Sequence, residues 1–96
     1  MKAELVVQER MIFDDGAVLT IRIWRVPEVV PPSAHRLKYS LFYGRPGERL
    51  VGYDNERGKG DHRHFGHREE SYRFTSIENL LADFRRDVES LRGEKI

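Results

Sequence analysis

The chain has 96 residues, with 17 Lys and Arg, 16 Asp and Glu, and no cysteine. A net charge of +1 excludes a polycationic nucleic-acid tail and an acidic mimic, and the lack of cysteine excludes disulfides, thiolate zinc sites and a cysteine nucleophile. The length allows one core, so we expect a single domain over residues 1–96. Because no apolar run is long enough to span a membrane and no charged stretch leads into an apolar one near the start, we expect a cytoplasmic protein.

Alternating apolar residues in the first half of the chain predict antiparallel strands. Residues 5–13 and 19–24 flank an Asp-Asp-Gly turn, which indicates a hairpin. The proline-rich stretch 27–32 cannot lie in a central strand and should form a loop along the edge of the sheet. Residues 37–43 form the third predicted strand, and a Gly-Arg-Pro-Gly turn leads into a fourth over residues 48–53.

The second half combines a polar stretch with a helix. Residues 53–70 hold almost no apolar side chain except Phe65, so they form a flexible excursion or a site, with a short strand near 62–65 and an edge strand near 70–74. Thr75 to Glu78 match a capping box, apolar residues then recur at helical spacing, and Gly93 ends the helix. The predicted fold is α+β: an antiparallel sheet of four to five strands with one C-terminal helix packed on one face.

The positive charge is concentrated in the middle of the chain. From residue 22 to residue 63 there are nine Lys and Arg and five acids, a local charge of +4. Thirteen of the seventeen cations are Arg, which suits planar recognition of phosphate, although arginine content also rises with the GC content of a genome. If a polyanion binds, this middle region is where we expect it.

Three of the four histidines, His62, His64 and His67, fall within six positions. In a strand, His62 and His64 would point to one face, about 7 Å apart at Cα. Three interpretations stay open at this point: an acid–base pair, two metal ligands with Asp61 or Asp54 as the third, and a solvated polar strand without chemistry.

Other polar residues around the histidines could serve a phosphate or an imidazole. Lys59 lies between two glycines, where the backbone can approach a phosphate closely, although an ordinary turn explains the same pattern. Arg57 and Arg63 flank it and could stabilise charge on a phosphorane. Asp54 could orient an imidazole, and the Asp-Asn pair to which it belongs is also common turn chemistry.

Three aromatic residues, Trp24, Phe42 and Tyr53, lie at strand positions opposite the expected core parity. With Arg22 and Arg25 they could form a stacking platform for bases. The alternative is a sheet that is covered on both faces or self-associates, and on that ground we expect a homodimer.

Four stretches of the chain resemble the TumE family of bacterial toxin–antitoxin systems: WRVP at 24–27, HRLKYSL at 35–41, YDNERGKGDHRH at 53–64 and REESYRFTSIENLLADFRRDV at 68–88. The resemblance spans residues 5–88, and the twelve-residue block is its most specific part. It implies a small cytoplasmic toxin, neutralised by a helix-turn-helix antitoxin from an adjacent gene, and analogy with other small α+β toxins adds RNA cleavage. The positions that match the family block are Tyr53, Asp54, Asn55, Gly58, Lys59, Gly60, Asp61, His62, Arg63 and His64.

The first functional hypothesis is an endoribonuclease toxin that cuts RNA with no metal or other cofactor. His64 and His62 would be general base and acid, Asp54 would orient an imidazole, Lys59 would assist, and the RNA 2′-hydroxyl would be the nucleophile. The predicted RNA- and phosphate-binding residues are Arg57, Lys59, Arg63 and Tyr53. Two alternatives are a non-catalytic module that binds RNA or a protein, and a metal-dependent hydrolase that uses His62, His64 and Asp61.

Overall fold

A computed structural model, which describes residues 2–96, contains six strands and one helix. The strands form one antiparallel sheet whose order follows the chain. They are β1 (Glu4–Ile12), β2 (Val18–Arg25), β3 (Leu37–Arg45), β4 (Glu48–Glu56), β5 (Gly60–Phe65) and β6 (Arg68–Ser71), followed by α1 (Ile77–Arg92). The predicted α+β class is confirmed, with six strands where the sequence predicts four to five.

The hydrophobic core lies between α1 and one side of the sheet, which we call the helix face; the other side is the open face. The apolar residues of β2 pair across the register with those of β3, as Ile21 does with Leu41, so they share the helix face. From the helix, Leu80, Phe84 and Val88 are fully buried against them. The period-2 pattern of β2 and β3 and the helical pattern of α1 therefore identify these core residues correctly, whereas Leu5 and Leu91, which belong to the predicted apolar stripes, are 44% exposed.

The helix begins and ends through local capping. Ser76 is the N-cap, because its hydroxyl accepts a hydrogen bond from the Asn79 N–H at 3.0 Å. The predicted capping box starts one residue earlier, at Thr75, whose hydroxyl instead accepts from the Asn79 side chain at 2.9 Å. Gly93 ends the helix as predicted, with a φ of 74° that a glycine adopts without strain. In the described part of the chain, no helix has the length and apolar character needed to cross a membrane.

The proline-rich loop between β2 and β3 packs against the turn between β4 and β5. The Gly58 N–H donates to the Pro31 carbonyl at 2.8 Å. Gly60 has a φ of 76°, and a Cβ there would lie 3.0 Å from Cγ of Pro32. The loop thus lies along the end of the sheet, and the glycines of this turn allow the close contact.

The polar stretch 53–70 forms the end of β4, all of β5 and most of β6. Its buried helix-face residues have partners: Asn55, which is fully buried, accepts from the Tyr39 N–H at 2.9 Å and donates to the Leu37 carbonyl at 2.7 Å. Because side-chain hydrogen bonds replace apolar contacts here, the stretch is ordered strand without an apolar alternation.

Candidate functional site

Asp54, His62 and His64 lie together on the open face at the junction of β4 and β5. Asp54 is the register partner of His62, and His64 is two residues further along β5 on the same face. Their ligand-type atoms all lie within 4.8 Å of one another, and the two imidazole rings meet edge to face with centroids 5.0 Å apart. The prediction that both histidines share one face of a strand is confirmed.

His62 is only 5% exposed and is fixed at both ring nitrogens. Nδ1 lies 3.0 Å from the Gly60 carbonyl oxygen, and because a carbonyl only accepts, Nδ1 carries a hydrogen. Nε2 lies 2.5 Å from Oδ1 of Asp54. The Gly60 carbonyl therefore fixes a hydrogen on Nδ1 and leaves Nε2 facing the carboxylate, where only the imidazolium form of His62 has a second hydrogen.

His64 is 7% exposed and meets charges of both signs. Nη2 of Arg49 lies 2.9 Å from Nδ1, Oε2 of Glu69 lies 3.2 Å from the same nitrogen, and Nε2 lies 3.8 Å from Oδ1 of Asp54. Burial and the Arg49 guanidinium lower the pKa of His64, and the two carboxylates only partly offset this. A neutral imidazole at neutral pH is the form that a general base requires.

Oδ1 of Asp54 is buried, and although Nε2 of His62 lies 2.5 Å and Nε2 of His64 lies 3.8 Å from it, neither contact has the geometry of a hydrogen bond. Two imidazole nitrogens and one carboxylate oxygen are also a donor set that suits a divalent transition metal. The same three residues can thus serve acid–base chemistry or hold a cation, and the tautomer of His64 distinguishes the two uses. With Arg49 donating, Nδ1 has the lone pair; with Nδ1–H donated to Glu69, Nε2 has it.

Lys59 lies beside the cluster at the rim of a depression of about 380 Å³, which is lined by Lys59, His62, Glu69, Glu70 and Ser71. The backbone around Lys59 does not offer the free donors of a phosphate loop. The Gly58 N–H is bonded to Pro31 and the Lys59 N–H to the Glu56 carbonyl at 3.1 Å. The ammonium group remains as the means by which this turn could bind a phosphate.

Asp61 does not join the histidines, because it alternates with His62 and points to the helix face. Its carboxylate accepts from the Ser33 hydroxyl, from Nε2 of His35 at 2.7 Å and from the Tyr39 hydroxyl at 2.7 Å. Burial raises the pKa of Asp61, but these hydrogen bonds outweigh it and hold the pKa below its ordinary value. The third group of the predicted metal site is therefore Asp54 and not Asp61.

Two of the predicted RNA-binding residues, Tyr53 and Arg63, also lie on the helix face. Tyr53 is fully buried and its hydroxyl donates to Asp87 of α1, so its expected place opposite the core is wrong. Arg63 contacts Glu70 at 2.5 Å and Asp87 at 3.7 Å. Arg57 is exposed in the β4–β5 turn. Neither Tyr53 nor Arg63 presents a free group on the open face.

The residue that sequence reasoning misses is Arg49. Its side chain lies over Gly52, where a Cβ would come within 2.6 Å of the Arg49 Cδ, and so reaches His64 from the same face. A register shift between Tyr43 and Gly44 places Arg49 there, and a shift of this kind leaves no periodic signal in the sequence.

The fold and this cluster define a small α+β protein that carries a buried histidine–carboxylate site on an open sheet face. Its sequence matches the family model described as Toxin TumE over residues 2–92, so the chain belongs to the TumE toxin family, as the resemblance indicates. A toxin of this family has an antitoxin partner. Comparisons with curated proteins and with solved structures give no match.

Proposed function

We propose that this toxin acts by cleaving RNA at the Asp54–His62–His64 cluster, with no metal ion required. The observation that carries the proposal is the unequal setting of two adjacent imidazoles. His64 is held neutral beside a guanidinium, whereas His62 has one nitrogen on a carbonyl and the other on a carboxylate. A base and an acid that operate at one pH require such an asymmetry.

In the proposed reaction, His64 removes the proton from the RNA 2′-hydroxyl as that oxygen attacks the adjacent phosphorus. The base atom is Nδ1, which has a lone pair when Arg49 donates to it. His62 acts in its imidazolium form, with a hydrogen on each ring nitrogen: it delivers the Nε2 proton to the departing 5′-oxygen and becomes the neutral Nδ1–H form, while Asp54 keeps Nε2 oriented. The products are a 2′,3′-cyclic phosphate and a 5′-hydroxyl end, and DNA, which has no 2′-hydroxyl, is not cut.

Charge on the phosphate is met by the cations that border the cluster. Arg49 is exposed and lies over Gly52, so it can turn from His64 towards an incoming phosphate and leave Nδ1 to the 2′-hydroxyl. Lys59 approaches from the depression on the His62 side. Arg57, exposed in the same turn, is a further contact for the chain of phosphates.

A metal-dependent hydrolase is the second candidate, supported by the buried Oδ1 of Asp54 that accepts no hydrogen bond. It needs the other tautomer of His64, with Nδ1–H donated to Glu69. Nitrogen NMR of the imidazoles, with and without added Zn²⁺, distinguishes the two tautomers. In the metal-free proposal, the neutral His64 has its hydrogen on Nε2.

The decisive experiment compares cleavage of labelled single-stranded RNA by the wild type, His64→Ala and His62→Ala, with and without EDTA. Each alanine variant should lose about 100-fold or more of the rate, and EDTA should change nothing. His67→Ala is the matched control, because His67 is exposed in the β5–β6 turn outside the cluster.

Three outcomes contradict the proposal. Undiminished cleavage by His64→Ala removes the assigned base, and loss of activity in EDTA with recovery in Zn²⁺ or Mn²⁺ supports the metal-dependent candidate. No cleavage by the wild type, either of free RNA or of mRNA on translating ribosomes, supports the non-catalytic binding module.

The helix-turn-helix character of the antitoxin and the cytoplasmic location stay predictions.

A further inference from the structure

The open face over β1, β2 and β3 carries cations and no carboxylate. Arg10, Arg22 and Lys38 project from it at register positions that share a face with Asp54, whereas Glu9 of β1 pairs with Ile21 on the helix face. Lys38 donates to the Asn55 backbone carbonyl, and it forms no salt bridge in the part of the chain that the structure describes. Among the described residues, Arg10 and Arg22 form no salt bridge.

The arginines of α1 show the contrast. Arg85 contacts Glu9 at 3.2 Å, Arg86 contacts Asp83 at 3.0 Å and Arg92 contacts Glu94 at 2.8 Å. The cations of the helix are thus neutralised within the protein, whereas those of the open face are available to an external anion. The chain as a whole is nearly neutral, so the field over this face is local.

Two aromatic side chains stand among these cations. Trp24 is 36% exposed and Phe42 is partly exposed, and neither belongs to the hydrophobic core or its partly buried margin. Trp24 is the register partner of Lys38, and Phe42 lies four residues further along β3. Aromatic rings spaced along a cationic sheet face are the arrangement on which proteins stack successive bases of a single strand.

Rows of register partners across the strands connect these residues with the histidines. Arg22, Ser40, Asp54 and His62 are successive register partners across β2, β3, β4 and β5, which spans about 14 Å at the backbone. In the neighbouring row, Phe42 pairs with Gly52, which pairs with His64. The small residues Ser40 and Gly52 leave no tall apolar side chain in the rows between the aromatic residues and the cluster.

We propose that Arg10, Arg22, Trp24, Lys38 and Phe42 form a track that binds single-stranded RNA and delivers it to the cluster; the delivery step rests on the proposed function. Phosphates contact the cations, and unstacked bases lie on the Trp24 and Phe42 rings. A duplex, whose bases are already stacked and paired, cannot use the rings in this way. The substrate class of the site is therefore single-stranded RNA, held by several nucleotides to one side of the cut.

Trp24 is the only tryptophan and reports on the track directly. The experiment titrates the full-length protein with a mixed-sequence 2′-O-methyl oligonucleotide of about ten nucleotides, which cannot be cut because its 2′-oxygens are blocked. We expect saturable quenching of Trp24 fluorescence in the wild type, and an affinity at least about tenfold lower in Phe42→Ala and in Arg22→Gln. Arg86→Gln on the helix is the matched control and should bind like the wild type.

Cleavage of a 2′-hydroxyl RNA by the same proteins separates the two proposals. Quenching by the oligonucleotide without any cleavage supports the track and overturns the proposed function. Cleavage with no Trp24 response, or equal affinities in Arg22→Gln and Arg86→Gln, overturns the track while the catalytic proposal stands. A Trp24 response to the antitoxin but not to the oligonucleotide also overturns it, because the face would then be a protein interface. Circular dichroism confirms that each variant is folded.

Discussion

At the level of single residues, Arg49 connects the solvent to the cluster, because its side chain is exposed and its guanidinium lies against Nδ1 of His64. The charged groups that face His64 are Arg49 and Asp54 from β4, His62 from β5 and Glu69 from β6. Burial and the two cations favour the neutral imidazole, and the two carboxylates oppose them. The balance lowers the pKa, so His64 is ready to accept a proton over most of the neutral range.

Arg49→Gln should raise the pKa of His64, because the variant removes a positive charge 2.9 Å from the ring nitrogen and keeps a polar side chain. Proton NMR of the His64 ring in the free protein measures this directly. A base acts when it is deprotonated, so the acidic limb of the kcat/KM profile should move to higher pH together with the NMR titration. Arg45→Gln, which removes an exposed arginine paired with Asp15, should leave both unchanged. A titration that stays in place or moves to lower pH would contradict the assignment.

Asp54 and Asp61 show how far single residues can be assigned from the sequence. Asp61 directly precedes His62 and Asp54 lies eight residues before it, and both are candidate partners by residue type. Only the pairing of β4 with β5 distinguishes them, because it sets Asp54 opposite His62 while strand alternation turns Asp61 away. Tyr53 shows the same limit: its burial follows from its position under α1, which local periodicity cannot report.

At the level of elements, the residues of the family block at 53–64 fall into two groups. Asp54, His62 and His64 form the open-face cluster, whereas alternate residues hold the sheet, its loop and its helix together. Asp61 binds the β2–β3 loop through Ser33 and His35. The twelve-residue block therefore contains residues that stabilise the fold as well as residues of the cluster. Both kinds lie on β4 and β5, on opposite faces of the sheet.

Asp61→Asn should lower the free energy of unfolding by about 1–3 kcal/mol, since the amide keeps only one acceptor oxygen and turns an NH2 donor towards at least one of the donors of Ser33, His35 and Tyr39. Urea unfolding measures it, with the exposed turn variant Asp14→Asn as the control, expected within about 0.5 kcal/mol of the wild type.

The pH dependence of this difference has a definite sign. The pKa of Asp61 is lowered in the folded state, so its contribution is complete above the ordinary carboxylate pKa of about 3.9 and is lost as pH falls through the lower folded value. The difference in the free energy of unfolding between the wild type and Asp61→Asn should therefore decrease only at acidic pH. Equal free energies of unfolding at pH 7 would contradict this prediction and show that other contacts hold the β2–β3 loop.

The strands of the first half and the helix are predictable from the sequence because their buried sides are apolar. β5 and β6 are harder to predict, since most of their inward residues are polar and are satisfied by specific partners, such as Ser33 and Tyr39 for Asp61. A polar strand and a polar loop look alike in composition, and only three-dimensional pairing distinguishes them. For the same reason the sequence predicts too few strands and marks residues 53–70 as a site or an excursion.

For the whole molecule, an overall charge of +1 coexists with a face that bears three cations and no carboxylate over half the sheet. This distribution also bears on self-association. A homodimer stays a prediction, but one made through the open faces would bring Arg10, Arg22 and Lys38 of two copies together without counter-charges, which Coulomb repulsion opposes. An anionic strand is the better electrostatic complement of this face.

The salt dependence of oligonucleotide binding tests whether the cations of the track contact phosphates. Each cation that neutralises a phosphate contributes about −0.7 to the slope of log affinity against log salt concentration, so Arg10, Arg22 and Lys38 together predict a slope of about −2 or steeper. Arg10→Gln should make the slope shallower by about 0.7. Phe42→Ala should weaken binding at every salt concentration with the slope unchanged, because stacking releases no counterions.

The comparison between these two variants separates charge from stacking. Arg86→Gln, which removes a helix cation already paired with Asp83, should change neither the affinity nor the slope. If Arg86→Gln and Arg10→Gln reduce the slope equally, RNA responds to net charge and not to the face, since both variants change the net charge by the same amount. A slope near zero in the wild type would mean that phosphates do not contact the track at all, and bases alone could not then hold a flexible strand in register with the histidines.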